Sequence, residues 1–329
     1  MNLGFSFLLI AVSIVIPLLG VGAAGCYSLF GVVIPYAGLI LFLSGVAYRV
    51  TVWSRSPVPF RIPTTCGQQT SLPWIQRSSL ESPYNTAGVL GRMALEVLLF
   101  RSLFRNTKVE LREGIPVYGG AKWLWAAALT FHWSFLIIIL RHLRFFSEPV
   151  PQAINFLASL DGLFVIGIPT IYLTDAFLLG SVTYLFLRRV GIPNVRYISL
   201  PSDYFPLFLI LAIGLSGFLM RHVYKVDLSR VKEVALGLVL FHPQISEGIG
   251  LIFYLHLFLV SLLLAYLPMS KLVHMGGVFL SPTRNLANNS RMHRHVNPWN
   301  YPVKVHTYEE YEEEFREKMK AAGIPVEKE

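Results

Sequence analysis

The chain has 329 residues, of which 54% are hydrophobic and only 14% are charged, and its mean hydropathy is +0.54. A soluble domain of this length carries about 25% charged residues, so the composition excludes an ordinary soluble protein. The net charge of +9 does not indicate nucleic-acid binding, because the basic residues lie mostly in loops beside apolar runs, where they meet anionic headgroups. We therefore predict an all-α, polytopic membrane helical bundle in the cytoplasmic membrane.

Six apolar runs are long enough to cross a bilayer, which takes roughly 20 residues each. They lie near residues 5–25, 29–52, 121–145, 158–187, 204–224 and 247–273. The first run ends near Cys26 and has a cleaved signal as its alternative, but it lacks the positive n-region of such signals, which favours a retained helix. Pro268 lies in the last run and predicts a kink or an early break there.

The connection between the second and third spans, residues 54–120, is long and basic. The positive-inside rule places it in the cytoplasm, which puts both termini of a six-span protein there as well. The connection after the fifth span conflicts with this orientation, because it would lie outside and is also basic: Arg221, Lys225, Arg230 and Lys232. We keep the assignment because the opposite one would export the longer basic loop.

Two amphipathic segments lie outside the spans. Residues 86–106 predict one helix along the membrane surface, with docking on a partner as the alternative. Its polar face consists of Arg92, Glu96, Arg101 and Arg105. Residues 308–323 predict a tail helix whose apolar stripe is too narrow to build a core, so that it either packs on another subunit or is solvated. The stripe consists of Tyr308, Tyr311, Phe315 and Met319.

Two of the spans carry two histidines each. LTFHWSFLIIILRHLRFF (129–146) contains His132 and His142, and FYLHLFLVSLLLAYLPMSKLVHMGG (253–277) contains His256 and His274. A single histidine in a span is more often a hydrogen-bonded packing residue, but two spans with the same property favour ligands. Because these spans are antiparallel, His132 and His274 share the cytoplasmic half, whereas His142 and His256 share the outer half. Each pair can bind one haem iron from both sides, as in bis-histidine cytochromes.

The histidine spacings are unequal. At about 1.5 Å per residue, His132 and His142 are ~15 Å apart along the helix axis, and His256 and His274 are ~27 Å apart. The difference of ~12 Å must be absorbed by helix tilt, by a break at Pro268, or by His274 lying just past the helix end.

This arrangement of four histidines resembles the di-haem cytochrome b subunit of respiratory nitrate reductase, the gamma-subunit-like family. That family has five spans, so the resemblance implies an additional N-terminal helix at residues 1–28 and a di-haem domain at residues 29–280. It implies two haem b groups, on His132/His274 and His142/His256. It also implies that a quinol is oxidised near the outer haem and that electrons pass inward to a cytoplasmic iron–sulfur subunit.

A second resemblance covers nearly the whole chain. The loop PFRIPTTCGQQTSLPWI (59–75) and the run NTAGVLGRMALEVLLFRSLFRNTK (85–108) are similar to the corresponding part of the DsrM family. Those proteins are the cytochrome b subunits of the DsrMKJOP sulfite-reduction-associated complex. The resemblance implies a cytoplasmic partner like the catalytic subunit of heterodisulfide reductase, together with periplasmic and further membrane subunits. We predict that residues 281–329 form a cytoplasmic, partner-docking tail.

The residues and the resemblances together predict a non-autonomous electron-transfer subunit of a membrane oxidoreductase. It would oxidise menaquinol and pass electrons to an iron–sulfur protein in dissimilatory sulfite or sulfate reduction. One alternative is the same cytochrome in heterodisulfide reductase or nitrate reductase. The other is a haem-free membrane anchor or transporter, in which the histidines join helices by hydrogen bonds.

Further polar residues are candidates for the surroundings of the haems and the quinol. Arg141 and Arg144 flank His142 and either bind haem propionates or snorkel to the surface. Lys271 and Arg284 are the corresponding candidates at the inner haem. The candidate quinol-site residues are Asp161, Glu148, His222 and Lys225.

Two residues have open roles. Asp175 lies in mid-span and is a functional candidate by default, or else a neutral acid that bonds a neighbouring helix. Cys66 is unaccompanied and shows no metal-binding spacing, so it is a structural residue or a thiol at the partner interface.

Overall fold

The computed structural model describes residues 2–56, 67–162, 170–245, 247–292, 302 and 305–328. In this part of the chain the regular elements are helices, apart from one antiparallel hairpin. The helices are α1 (Asn2–Gly22), α2 (Ile34–Ser54, preceded by a π-helical turn, Leu29–Val33), α3 (Thr86–Leu99), α4 (Arg101–Arg105), α5 (Lys122–His142), α6 (Gln152–Asp161), α7 (Leu173–Gly191), α8 (Pro193–Tyr197), α9 (Pro201–His222), α10 (Leu228–Val239), α11 (Leu251–Tyr266), α12 (His274–Leu280), α13 (Pro282–Asn285) and α14 (Tyr308–Ala321). The hairpin consists of β1 (Thr107–Arg112) and β2 (Ile115–Gly120).

Five helices in the described part of the chain are long and apolar enough to cross a bilayer. They are Asn2–Gly22, Leu29–Ser54, Lys122–Phe145, Pro201–His222 and Leu251–Met269. These helices confirm the first, second, third, fifth and sixth predicted spans, and with them the helical membrane bundle. The fourth predicted span, 158–187, coincides with the end of α6 and most of α7, and residues 163–169 between these helices lie outside the described part.

The centre of the bundle lies where α11 packs against α9, α2 and α1. Leu209 on α9 and Leu259 on α11 are both 0% exposed and belong to one apolar cluster. Ile10 of α1 and Val182 of α7 belong to the same cluster. The N-terminal helix is therefore part of the core that holds α9 and α11 together.

Two glycines let α2 lie directly against the backbone of α11 and its continuation. A Cβ atom on Gly38 would be 2.7 Å from the carbonyl oxygen of Ser261, and one on Gly45 would be 2.7 Å from Cβ of Pro268. Small residues at such contacts let membrane helices approach closely, because their association depends on packing rather than on a hydrophobic driving force. Gly38 and Gly45 therefore set the distance between α2 and α11.

The connection between α2 and α5 lies at one end of the bundle, which we call the loop end. The prediction of a single helix over 86–106 is wrong, because Phe100 has a left-handed conformation (φ 50°) that ends α3. The predicted polar face is wrong for Arg92, which is only 2% exposed. Residues 57–66 lie outside the described part. They include Cys66, whose role therefore stays a prediction.

The β1–β2 hairpin is absent from the sequence-based prediction. Its two-residue turn, Glu113 and Gly114, has positive φ angles of 53° and 81°, which is the conformation that suits the twist of a hairpin. Each strand has only six residues. An alternation that short is a weak signal beside the neighbouring apolar runs.

The predicted tail helix is α14, and the chain after it folds back onto it. Glu312 is 2% exposed, and its carboxylate accepts hydrogen bonds of 2.9 Å from the backbone N–H groups of Glu327 and Lys328. These two hydrogen bonds lower the pKa of Glu312 below its usual value. Met319 of the predicted stripe is buried. Docking of this tail on a partner stays a prediction.

We expect Gly38→Ala to destabilise the bundle by about 1–3 kcal/mol, the usual cost of overpacking, because the added methyl group meets backbone atoms of α11. Thermal unfolding of the purified chain in detergent, followed by circular dichroism, measures this change. Gly180→Ala on α7 is the control, since a Cβ atom there meets nothing within 4 Å. An unchanged unfolding temperature for Gly38→Ala would contradict the close approach of the two helices.

We also expect the turn after α14 to open at acidic pH. A carboxyl group whose pKa is lowered by folding contributes stability above its unfolded pKa, and this contribution is lost as the pH falls through the folded pKa. Relative to an unfolded peptide at the same pH, amide hydrogen exchange at Glu327 and Lys328 should therefore accelerate as Glu312 becomes protonated. Glu312→Gln should accelerate it at neutral pH, whereas Glu309→Gln, at an exposed position of the same helix, should not. Equal protection in both variants would show that Glu312 does not hold this turn.

Candidate functional site

The four histidines singled out from the sequence lie in two pairs. The ring planes of His142 and His256 are nearly parallel, at 14° to each other, and the ring centroids are 6.5 Å apart. The rings of His132 and His274 meet edge to face, with centroids 6.0 Å apart and an angle of 81°. The structure thus brings together the same residues that the antiparallel arrangement pairs, one pair towards the loop end and the other towards the opposite end.

An interruption of the sixth span reconciles the unequal spacings. The helix α11 ends at Tyr266, a 3₁₀ turn follows at Leu267–Met269, and Ser270 is extended (φ −114°, ψ 176°). His274 therefore begins the separate helix α12. On a continuous helix it would lie ~27 Å along the axis from His256. The break at Pro268 is what allows His274 to meet His132 instead.

Each of the four rings has its Nδ1 atom engaged within the protein. In three rings the partner is the carbonyl oxygen three or four residues earlier, at 2.7–2.9 Å: Ala128 for His132, Ile138 for His142 and Lys271 for His274. A carbonyl oxygen only accepts, so Nδ1 carries the proton and Nε2 keeps the lone pair that binds a metal. Ligating histidines are oriented in this way by the hydrogen bond of the other ring nitrogen.

His256 is oriented by the neighbouring helix α9. Its Nδ1 atom lies 2.9 Å from Oγ of Ser216, and the same Oγ lies 2.9 Å from the carbonyl oxygen of Ile213. When the hydroxyl donates to that carbonyl, its lone pair accepts from the Nδ1–H group of His256. The fourth ring then has the same tautomer as the other three.

Two imidazole rings at these separations fit one iron between them. A metal–nitrogen bond is about 2 Å long and the distance from ring centre to nitrogen adds about 1 Å, so two axial ligands have centroids about 6 Å apart. His132 and His256 are half-buried, whereas His142 and His274 are exposed, so an added group can reach each pair. Nowhere in the described ranges do three histidine, cysteine, aspartate or glutamate side chains converge on one point. Each pair therefore offers the donor set that a haem iron held by two histidines would take, rather than that of a metal cage.

Beside His142, the buried Arg141 joins three helices through two ion pairs. Its guanidinium nitrogens lie 3.1 Å from Oδ2 of Asp161 on α6 and 2.6 Å from Oδ1 of Asp175 on α7. Asp161 also accepts hydrogen bonds from the backbone N–H and the hydroxyl of Thr174. Arg141 is 6% exposed, so the snorkelling alternative is wrong for this residue. Its charge is already met by two carboxylates, and a role towards a haem propionate stays a prediction.

Further cations surround Tyr172, which directly precedes α7. The guanidinium carbons of Arg141 and Arg221 lie 3.7 Å and 4.4 Å from the centroid of its ring. Arg144 makes a side-chain hydrogen bond to the same tyrosine. Since no carboxylate of the described residues forms an ion pair with Arg144, it is the better placed of the two predicted arginines to bind an anionic group.

The four candidate quinol-site residues lie at the opposite end of the bundle, but they do not form one cluster. Asp161 belongs to the ion-pair network described above. Glu148 forms an ion pair with Lys232, and Lys225 is exposed with a left-handed backbone. Among the described residues, nothing hydrogen-bonds to the buried Nε2 atom of His222. His222 is therefore the candidate whose buried ring nitrogen has no hydrogen-bond partner among these residues.

The cations predicted for the inner haem have partners within the chain. Lys271 Nζ donates to Oδ1 of Asp203 at 2.7 Å. Arg284 donates to Oγ of Ser102 at 2.9 Å. Their assignment to haem propionates stays a prediction.

Two contacts near the histidine pairs were not identified from the sequence. Ser216 contacts His256 across forty residues of chain, and no local pattern indicates such a contact. Arg92 donates to backbone carbonyl oxygens at the loop end, although its helical position indicated a solvated face. Both contacts depend on how separate helices pack.

The sequence is similar to a known family and to known proteins. A family model described as nitrate reductase gamma subunit matches residues 117–295. A protein of Archaeoglobus fulgidus named Hdr-like menaquinol oxidoreductase cytochrome b-like subunit is 44% identical over 278 residues, which cover 82% of this chain and 83% of that protein. A protein of the same name from Archaeoglobus profundus is 41% identical over 273 residues, which cover 81% of each chain.

The family match contains both histidine pairs and the Arg141 network. It begins at residue 117, after the first two spans, whereas the resemblance seen in the sequence placed only the first span outside the core. The division into residues 1–28 and 29–280 stays a prediction.

We expect Arg141→Met to destabilise the protein by about 3–5 kcal/mol, because it leaves the buried Asp161 and the half-buried Asp175 without a counter-charge. Thermal unfolding in detergent measures the change, and Arg188→Met on α7, outside this network, is the matched control. Adding Asp161→Asn and Asp175→Asn to Arg141→Met should recover part of the lost stability, since the uncompensated charges disappear. If the triple variant is no more stable than Arg141→Met, charge is not what these residues contribute.

Proposed function

Because the chain belongs to the family of the nitrate reductase gamma subunit, we propose that this multi-pass membrane protein is a di-haem b electron-transfer subunit that oxidises menaquinol. The observation that carries the proposal is the two histidine pairs that α5 forms with α12 and with α11, with ring centroids 6.0 Å and 6.5 Å apart. The names of the two Archaeoglobus relatives support menaquinol as the substrate.

The residues of the chain hold and orient the two haem groups. His132 and His274 bind one and His142 and His256 bind the other, and the hydrogen bond at each Nδ1 atom presents Nε2 as the ligand. When bound, haem iron supplies one-electron transfer between the quinol and the next carrier. Helix α5 contributes one ligand to each pair, so its rigid backbone fixes their separation at ~15 Å along the axis.

Quinol oxidation takes place at the opposite end, beside His142 and His256. Removing two electrons from a quinol also releases two protons, so the site needs a proton acceptor within hydrogen-bond reach of the quinol hydroxyl. The unpartnered Nε2 atom of His222 supports this residue as the acceptor. The positive charges of Arg144 and Arg221 stabilise negative charge that develops on the quinol oxygen.

The loop end faces the cytoplasm in this proposal, because the connection between α2 and α5 is the longer basic loop. The basic connection after α9 stays an exception to this rule, although its Lys232 pairs with Glu148 and its Arg230 with Asp227. Quinol protons are then released outside, and electrons leave from His132/His274 on the cytoplasmic side.

The electron acceptor is a cytoplasmic iron–sulfur subunit similar to the catalytic subunit of heterodisulfide reductase, in a complex with further membrane and periplasmic subunits. The word "Hdr-like" in the names of both relatives supports this class of partner. A role in dissimilatory sulfite or sulfate reduction rests on the resemblance of residues 59–75 and 85–108. Subunits that co-purify with the chain distinguish this role from that of a nitrate reductase.

We expect two b haems per chain, of which His132→Ala and His142→Ala each lose a different one. A dithionite-reduced minus oxidised spectrum with haem quantification on the purified chain measures this. His242→Ala is the control, because this exposed histidine lies outside both pairs and should leave both haems in place. An intact wild-type bundle without haem would overturn the proposal and favour the membrane-anchor alternative.

The same variants test the direction of electron flow. A reduced menaquinone analogue should still reduce the haem that remains in His132→Ala, because that haem lies on the quinol side. It should fail to reduce the haem that remains in His142→Ala. The reverse result would place quinol oxidation at the loop end.

A further inference from the structure

The helix α12, which begins with His274, is not held in place by burial. It has seven residues, and none of them is buried. The extended Ser270 separates it from α11, so the packing of the sixth span does not fix its position. The orientation of His274 therefore depends on the chain on either side of α12.

On the preceding side, Arg49 holds the break through the Pro268 carbonyl oxygen, but the contacts between Ser270 and α12 are local or solvent-exposed. Ser270 Oγ accepts a hydrogen bond of 3.2 Å from the backbone N–H of Leu272. Lys271 pairs with Asp203, but the lysine side chain is 67% exposed. An ion pair with so exposed a lysine contributes little stability, so this side alone does not hold α12.

On the following side, Arg92 binds the chain directly after α12. Its guanidinium donates one hydrogen bond of 3.1 Å to the carbonyl oxygen of Glu81. It also donates to carbonyl oxygens at the end of α13, at 3.1, 2.6 and 3.4 Å: Thr283, Arg284 and Leu286. The last carbonyls of a helix have no partners within it, and a cation next to them interacts favourably with the helix dipole. Arg92 therefore attaches the end of α13 to α3.

Neighbouring contacts join the same two segments. The Arg284 side chain donates to Oγ of Ser102, and the backbone N–H of Asn288 donates to the carbonyl oxygen of Pro83 at 2.6 Å. Burial lowers the pKa of the Arg92 guanidinium and the Arg284 cation lowers it further, so the carbonyl oxygens take the place of water around this charge. Arg92 is the most buried charged group in this junction.

Helix α3 also reaches the other member of the loop-end pair. The helix ends at Phe100, whose ring packs edge to face on His132 with centroids 4.9 Å apart. One end of α3 thus contacts His132, and its middle holds the chain that follows His274. This helix links both histidines of the pair.

From these contacts we propose that Arg92 is a positioning residue for His274, and so for the haem on the loop-end pair. The inference rests on the proposed function and adds to it a residue that touches neither haem nor substrate. Loss of Arg92 should release α13 and α12, while His142 and His256 stay on α5 and α11, which this residue does not contact.

The test is haem quantification and a redox titration of Arg92→Leu in the full chain. We expect this variant to keep one b haem, with the spectrum and midpoint potential of the haem that His132→Ala retains. Arg196→Leu is the matched control, because the side chain of this exposed arginine of α8 contacts neither α3 nor α13 in the described part of the chain, and it should keep both haems. Two haems with unchanged potentials in Arg92→Leu, or loss of the haem that His142→Ala loses, would overturn the inference.

Arg92→Lys keeps the charge but lacks the planar group that reaches several carbonyl oxygens. We expect it to keep both haems and to shift the midpoint potential of only the loop-end haem, which decides the question if Arg92→Leu fails to assemble. Unchanged potentials of both haems in Arg92→Lys would overturn the inference. A wild-type chain without haem would instead overturn the proposed function, so the two failures are distinguishable.

Discussion

The site depends on one interruption in one membrane helix, at Pro268. Proline has no N–H group and clashes with the preceding helical turn, and a break in lipid survives only when the freed backbone groups find other partners. Here Arg49 donates to the Pro268 carbonyl at 2.9 Å, and Ser270 Oγ donates to the Leu267 carbonyl at 3.0 Å. Gly45 leaves room for α2 to lie against the break. With its backbone satisfied, the chain departs from the line of α11 and carries His274 to His132.

Two buried arginines stabilise the two ends of the site by different means. Arg141 lies in the membrane-spanning part, where an unpaired charge is costly, and two carboxylates from α6 and α7 meet it. Arg92 lies in the loop region and is bound by neutral carbonyl oxygens instead. Each of them joins segments that apolar packing alone does not hold. Both arginines therefore stabilise the site by polar contacts, in places where hydrophobic packing does not.

Much of the fold was predictable, because length and hydropathy alone identify helices that cross a bilayer. The histidine pairs were predictable too, because four histidines on two antiparallel spans leave few ways to pair. The β1–β2 hairpin and the end of α3 at Phe100 were not. They depend on left-handed turn residues, Glu113 and Phe100, whose side chains do not ordinarily signal such a conformation.

The amino-acid sequence by itself determined that the chain crosses a membrane as helices and which histidines share an end of the bundle, since both follow from local composition and spacing. Only the tertiary structure decided how His274 reaches His132, which carboxylates meet Arg141, and that Arg92 is buried. These features join residues that are distant in the chain, such as Arg92 and Arg284. Their contacts form only when separate helices pack, so they cannot be predicted from the periodicity of any one segment.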